Sequence, residues 1–403
     1  MTKLREDEVL LLMGTAKGGF IFRSDARRKN WSVSDPLFKG LMVHHFTFDP
    51  RDCESLYAAT YSECFGSDIQ CSHDGGRKWE RTEDGPRYAN DSGVSVKCVW
   101  HIDPAHASDP DAVFAGVDPA GLFRSDDRGP ARTEVEPLTR HESCSRCNPG
   151  KGGLSLHSIV PDPHDKRKMH VAISAPGVFY TEDGGRSWQP RNRGTRADFL
   201  PDKHPDLGQC VHKLLPAADG KRLYQQNHCG VYRSDSSAEW WTDISKGLTS
   251  RFGFRMGTDP KDAASVWVVP VASSEFRADP DGKLTVFRSC DAGRSWQCAA
   301  ECLPDRNAQL LVLREAMSVY SADAAGVYCG ASTGQIFHTR DEGRQWQLLA
   351  EFFRRFIQWK RLDRSIESAR PPGFSARDSM SFPHPIVKSS WAQKHSEYHE
   401  LTP

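Results

Sequence analysis

Short apolar runs of four to six residues, each bounded by Gly, Pro or Asp, recur along the whole chain, and no long segment keeps a helical period. Typical pairs are Val113-Phe-Ala-Gly-Val117 with Gly121-Leu-Phe-Arg124, Met169-His-Val-Ala-Ile173 with Gly177-Val-Phe-Tyr180, and Leu223-Tyr-Gln-Gln226 with Gly230-Val-Tyr-Arg233. Their β-branched and aromatic content predicts strands. An earlier run precedes each pair and ends in Asp-Pro or a similar turn, over 45–49, 99–103, 157–162, 212–216 and 254–259, with a further one from 313 onward. The chain therefore reads as a repeated unit of antiparallel strands.

The turn after the third strand carries the repeat. Ser72-His-Asp74-Gly-Gly-Arg-Lys-Trp79, Thr181-Glu-Asp183-Gly-Gly-Arg-Ser-Trp188, Ser289-Cys-Asp291-Ala-Gly-Arg-Ser-Trp296 and Thr339-Arg-Asp341-Glu-Gly-Arg-Gln-Trp346 share Ser/Thr-x-Asp-x-Gly-x-x-Trp. Weaker copies begin at Ser24, Ser125 and Ser234. The leading positions 24, 72, 125, 181, 234, 289 and 339 are separated by 48, 53, 56, 53, 55 and 50 residues. Seven units of this length predict an all-β, seven-bladed β-propeller with an Asp-box turn between strands three and four of each blade. In such a turn the Asp and the hydroxyl bond to backbone, the Gly accepts positive φ, and the Trp folds back on a neighbouring strand. The Asp residues are expected to build turns, not to catalyse.

The box repeat resembles the bacterial neuraminidase repeat shared by sialidases, sortilin-like receptors, xyloglucanase propellers and a photosystem II assembly propeller. More closely, the chain resembles the WD40/YVTN/BNR-like repeat proteins often labelled exo-alpha-sialidase or glycosyl hydrolase. This rests on Gly152-Gly-Leu-Ser-Leu-His157, Arg196-Ala-Asp-Phe-Leu200, Gly208-Gln-Cys-Val-His-Lys213, the run from Tyr224 to Asp235, Arg251-Phe-Gly-Phe254 and Leu313-Arg-Glu-Ala-Met317. It covers roughly residues 9 to 350, and it specifies fold rather than activity. The sialidase Arg-Ile-Pro signature is absent from the N-terminal region, and sialidases have six blades, so true sialidase activity is not expected.

Residues 1–350 are expected to form one propeller and 351–403 an irregular, disordered tail. Blade one lacks a preceding first strand, so the C-terminal side should close the ring. The resembling family closes with a Pro-Pro start and an alternating Ser-Val-Glu pattern, whereas this chain continues Phe352-Phe-Arg-Arg-Phe-Ile-Gln-Trp-Lys. One frame over, plausible codons yield Pro-Pro-Phe-Tyr-Ser-Val-Glu-Ala. The tail is therefore expected to be out of frame, with 352–359 serving as a makeshift closure.

Lys+Arg and Asp+Glu both total 53, so no field of one sign favours nucleic acid or a membrane surface. The acidic start and brief apolar run at 9–13 do not make a signal peptide. The twelve cysteines are expected to be mostly buried free thiols, Cys144 and Cys147 included, in a cytoplasmic protein that is a monomer. First strands of propeller blades line the central channel. Their starts carry His44, His45, Trp100, His101, His157, His212, Phe254, Arg314 and Glu315, to which loops add Arg196, Asp198, Asn227, His228 and Glu275. One reading is a divalent metal at the channel mouth on His45, His157, His212 and His228; the other is histidines bonded to backbone carbonyls and channel water. Arg314, Glu315 and Asp198 are the catalytic candidates, and Arg196, Asn227, Trp100 and His101 the substrate-binding ones. The function expected first is binding or assembly, with a small polar ligand or a protein partner at a His-rich mouth. The alternative is a glycosidase-like hydrolase of a small polar substrate, with or without metal assistance.

Overall fold

In the computed structural model the chain forms seven antiparallel sheets arranged as a seven-bladed β-propeller. The structure describes residues 8–81, 85–129, 133–143, 153–320, 324–351 and 353, together with the backbone of 356–362 and 386–390. Blades two to seven each take four consecutive strands. In blade four these are Leu156–Pro161, Met169–Ile173, Gly177–Thr181 and Gln189–Pro190. Blade one differs: Phe356–Leu362 lies antiparallel to Glu8–Thr15, so the ring closes with a strand from beyond residue 350. Ile386–Ser390 pairs on the inner edge of that strand and touches the innermost strands of blades two and seven. The remainder of 351–403, and Cys144 and Cys147, lie outside the described residues.

The repeated turn has one geometry. Thr181 Oγ1 donates to Asp183 at 2.9 Å, the Gly185 N–H donates to Thr181 Oγ1 at 2.9 Å, and the N–H groups of Arg186 and Ser187 donate to Asp183 at 2.9 and 3.0 Å. The copies at Ser72, Ser289 and Thr339 repeat it. The fifth residue is left-handed throughout these copies, and in the weaker ones Arg28 and Ala238 take the same conformation (φ 56° and 63°) despite their Cβ. The tryptophans explain their own recurrence. Trp241, Trp296 and Trp346 each reach the preceding blade, donating Nε1 to the carbonyls of Arg191, Ile244 and Ala299 at 2.8, 2.6 and 2.7 Å. Each ring buries a large apolar area between blades while its one polar atom stays bonded. The cores are accordingly made between neighbouring sheets, as where Trp188 joins Leu138, Leu156 and Phe179.

Candidate functional site

Each inner strand of blades two to seven is broken near its start. The register slips between Val43 and His45, Val99 and His101, Leu156 and Ser158, Val211 and Lys213, Gly253 and Arg255, and Val312 and Met317. An unbroken strand turns alternate residues to opposite faces, whereas a bulge sets two residues against one partner. Consecutive pairs therefore reach the channel together, as an outer layer of His44, Trp100, His157, His212, Phe254 and Arg314 and an inner layer of His45, His101, Ser158, Lys213, Arg255 and Glu315.

The inner layer is closed by its own bonds. Lys213 Nζ donates to Glu315 at 2.5 Å, with both side chains 1% exposed. Arg255 donates to the carbonyls of Arg314, at 2.8 Å, and Met317. His45 and His101 pack at a tilt with centroids 4.4 Å apart; His101 Nε2 lies 3.2 Å from Asp103, and the Ile102 N–H donates to His45 Nδ1 at 3.2 Å. Burial lowers Lys213 to about 8 against the pull of Glu315, and lowers Arg255 to about 10.

The outer layer is aromatic and cationic. Arg314 sits over the Trp100 ring at 5.6 Å and donates to Ser174 Oγ at 3.2 Å. His212 stacks on Phe254 at 5.0 Å, and Arg277, from the loop between strands two and three of blade six, covers the same phenylalanine at 5.4 Å. Burial holds His44 down at about 3, and holds His157 and His212 well below their ordinary value, where Arg314 adds to the effect. These histidines are neutral in the folded protein. Solvent reaches this layer beside Cys210, His228 and Arg277, which are half-buried.

The four histidines of the expected metal site divide. His212 and His228 come together with Cys210, all donor atoms lying within 4.8 Å of one another, and His45 joins His101 and Glu315 in the inner layer. His157 belongs to neither group; its Nε2 bonds the Val211 carbonyl at 3.0 Å and its Nδ1 lies 3.1 Å from Ser158 Oγ. Of the catalytic candidates, Arg314 and Glu315 occupy different layers, and Asp198 lies on an exposed loop, paired with Arg196 at 2.8 Å. That loop touches the cluster, with Phe199 against His228 at 5.1 Å and the Asp198 N–H on Cys229 Sγ at 3.3 Å. Asn227 is a turn former: it is fully buried, accepts from the Cys229 N–H at 3.2 Å and donates to Gln209. Trp100 lines the outer layer and His101 the inner one. Cys210, Lys213, Arg255 and Arg277 were not expected at the site. Cys210 was legible as the residue two before His212, just ahead of the strand Val211–Pro216; the other three depend on the bulge or on a long loop.

No family model matches the chain. It is 22% identical over 327 residues to the oligoxyloglucan-reducing end-specific xyloglucanase of Emericella nidulans, which covers 72% of this chain and 38% of that enzyme. The chain thus spans well under half the length of this relative. Among solved structures it is similar to YCF48 from Cyanidioschyzon merolae (12% identity, TM-score 0.55, 88% of this chain and 95% of that one). It is also similar to YCF48 bound to D1 peptide (11%, 0.50, 87% and 94%) and to an ancestral GH74 enzyme (14%, 0.53, 77% and 38%). At these identities the likeness is one of fold.

Proposed function

We propose that this chain is a binding propeller that seats an acidic peptide segment of a partner protein at the outer layer of its channel. The observation that carries this is the charge on the inner strands of blades two to seven. They bring Lys213, Arg255 and Arg314 inward against Asp103 and Glu315, and Arg277 is added above them. In a low-dielectric channel that surplus attracts an anion, and the rings of Trp100 and Phe254 hold the guanidinium groups beside it. YCF48, similar in fold, has been solved with a peptide bound. The recurring Ser/Thr–Asp turns support a place among the Asp-box, BNR-like propellers. Ten free cysteines among the described residues support a reducing, cytoplasmic setting.

A hydrolase is the second reading, favoured by the similarity to a xyloglucanase. Glycoside cleavage needs two carboxyl groups across the scissile bond, one able to donate a proton. Glu315 is instead sealed against Lys213, and Asp198 is turned to Arg196. Calorimetry with an Asp/Glu-rich peptide and its Asn/Gln counterpart separates the readings. Only the acidic peptide should bind, more weakly in high salt, and Arg277→Ala should cost roughly fivefold in affinity. Release of sugar from xyloglucan oligosaccharides with no peptide binding would establish the hydrolase instead.

A further inference from the structure

The two clusters of ligating side chains differ in what their hydrogen bonds leave available. In the inner cluster the Ile102 N–H donates to His45 Nδ1, so the neutral ring carries its proton on Nε2. Glu315 already gives a carboxylate oxygen to the Lys213 ammonium at 2.5 Å, so a divalent ion would have to displace that buried cation to gain the ligand. In the outer cluster the bonds run the other way. His212 Nδ1 is 2.6 Å from the Gly253 carbonyl, which can only accept, so that nitrogen carries the proton and Nε2 carries the lone pair. A ligating histidine is usually fixed in this way, by an N–H on a backbone carbonyl. That lone pair accepts from the Cys210 thiol, with Sγ 3.5 Å from Nε2. Zinc bonds of about 2.3 Å to sulfur and about 2.05 Å to nitrogen, at a tetrahedral angle, separate the two donors by about 3.6 Å. The third residue is held by its backbone and by packing: the His228 main-chain N–H bonds the Cys210 carbonyl at 2.9 Å, and its ring packs against Phe199 and Phe252.

We infer that Cys210, His212 and His228 form a three-ligand zinc site at the channel mouth, its fourth position open to the half-buried side beside Arg277. The site stands on the donor geometry alone and does not depend on which ligand the mouth takes. Binding replaces a proton: the Cys210 S–H bond breaks, the proton passes to solvent, and an S–Zn bond forms while both imidazoles coordinate through lone pairs, with no change of oxidation state. The bound ion and thiolate carry a net single positive charge. With Arg277 and Arg314 nearby, water or an anionic group suits the fourth position.

Cobalt(II), titrated into the full chain under reducing conditions, is the probe, because a thiolate–cobalt bond gives a charge-transfer band and four-coordination gives intense visible bands. One equivalent should produce both, and zinc should abolish them. Cys210→Ser should eliminate the charge-transfer band, and Cys229→Ser, one residue from His228, should leave it intact. His228 lies in a two-residue turn and is half-buried, so His228→Ala should fold normally and weaken cobalt binding by at least about tenfold. No band in the wild type, or a band that survives Cys210→Ser, overturns the site. Peptide binding is read separately by calorimetry, so its absence with the cobalt spectrum intact counts against the acidic-peptide reading alone.

Discussion

The two layers of the channel stand one residue apart on the same strands and use overlapping side-chain chemistry, yet one is finished and the other is not. The inner layer supplies its own cation: Lys213 meets Glu315, Arg255 meets two carbonyls, and His45 receives a backbone N–H. The outer layer leaves His212 Nε2 turned to Cys210 and arranges Arg277 and Arg314 on aromatic faces beside them. What separates structure from site is thus not the presence of histidines or carboxylates. It is whether the protein itself provides the opposite charge and the matching proton. The bulge makes the contrast, because it turns two successive residues to the channel where a regular strand would turn one.

The largest effect that tests this contrast is on the inner layer. Glu315→Gln leaves the Lys213 ammonium buried without its counter-charge and should destabilise by about 3–5 kcal/mol. The double change Lys213→Met with Glu315→Leu removes both charges and should restore stability to within about 2 kcal/mol. Cys210→Ser, in the outer layer, should cost under about 1 kcal/mol in the metal-free protein. Urea denaturation measures all three. Equal losses for Glu315→Gln and Cys210→Ser would erase the distinction between the layers.

Acid sharpens the comparison next. His44 is held at about 3 by burial against an unfolded value of 6.5, and neither ring nitrogen has a hydrogen bond among the described residues. The unfolded chain therefore takes the proton first. Stability is intact above about pH 6.5 and falls as pH drops toward the folded value, by about 2 kcal/mol at about pH 5 for this one group. His157 and His212, held down for the same reason, add losses of the same sign. Replacing His44 by Phe, of similar shape between Tyr61 and Trp100, should change little at neutral pH and gain about 2 kcal/mol at about pH 5. A difference between variant and wild type that is the same at both pH values would contradict the burial of a neutral ring.

Much of this architecture was readable from residue order. The spacing of seven turns requires seven blades, and runs such as Val266-Trp-Val-Val269 fall in the strands observed. The inward residues were readable as an inventory, since His44, Trp100, His157, His212 and Phe254 open successive first strands. Their division into two layers was not, because a bulge has no signature in a string of alternating residues. For the same reason His45 and His212 looked equivalent, although one accepts a backbone proton and the other donates one. Arg277 was hidden differently: it reaches Phe254 from a long loop whose course no periodicity records.

The smallest effect lies on the far rim, at the turns, and it separates the scaffold from the mouth. Asp183 is half-buried, and bonds from the Ser187 hydroxyl and backbone N–H, with those of Thr181 and Arg186, hold its carboxyl far below the usual carboxylate range. A carboxylate lowered in the fold contributes stability above its unfolded value and loses it as pH falls below about 4. Asp183→Ala removes those acceptors and frees two backbone N–H groups to water, so the expected cost is modest, a fall in melting temperature of about 1–3 °C at neutral pH. The variant's deficit should shrink as pH falls below about 4, because the unfolded chain then takes the proton while the folded carboxyl stays ionised, provided both chains remain folded there in stabilising osmolyte. Cobalt binding and acidic-peptide affinity should match the wild type, because Asp183 acts on its own turn and the mouth is built by the bulged ends of the inner strands. A mouth that lost either ligand through this substitution alone would mean that the rim and the channel are coupled through the blade, and that the layers owe their difference to more than local hydrogen bonding.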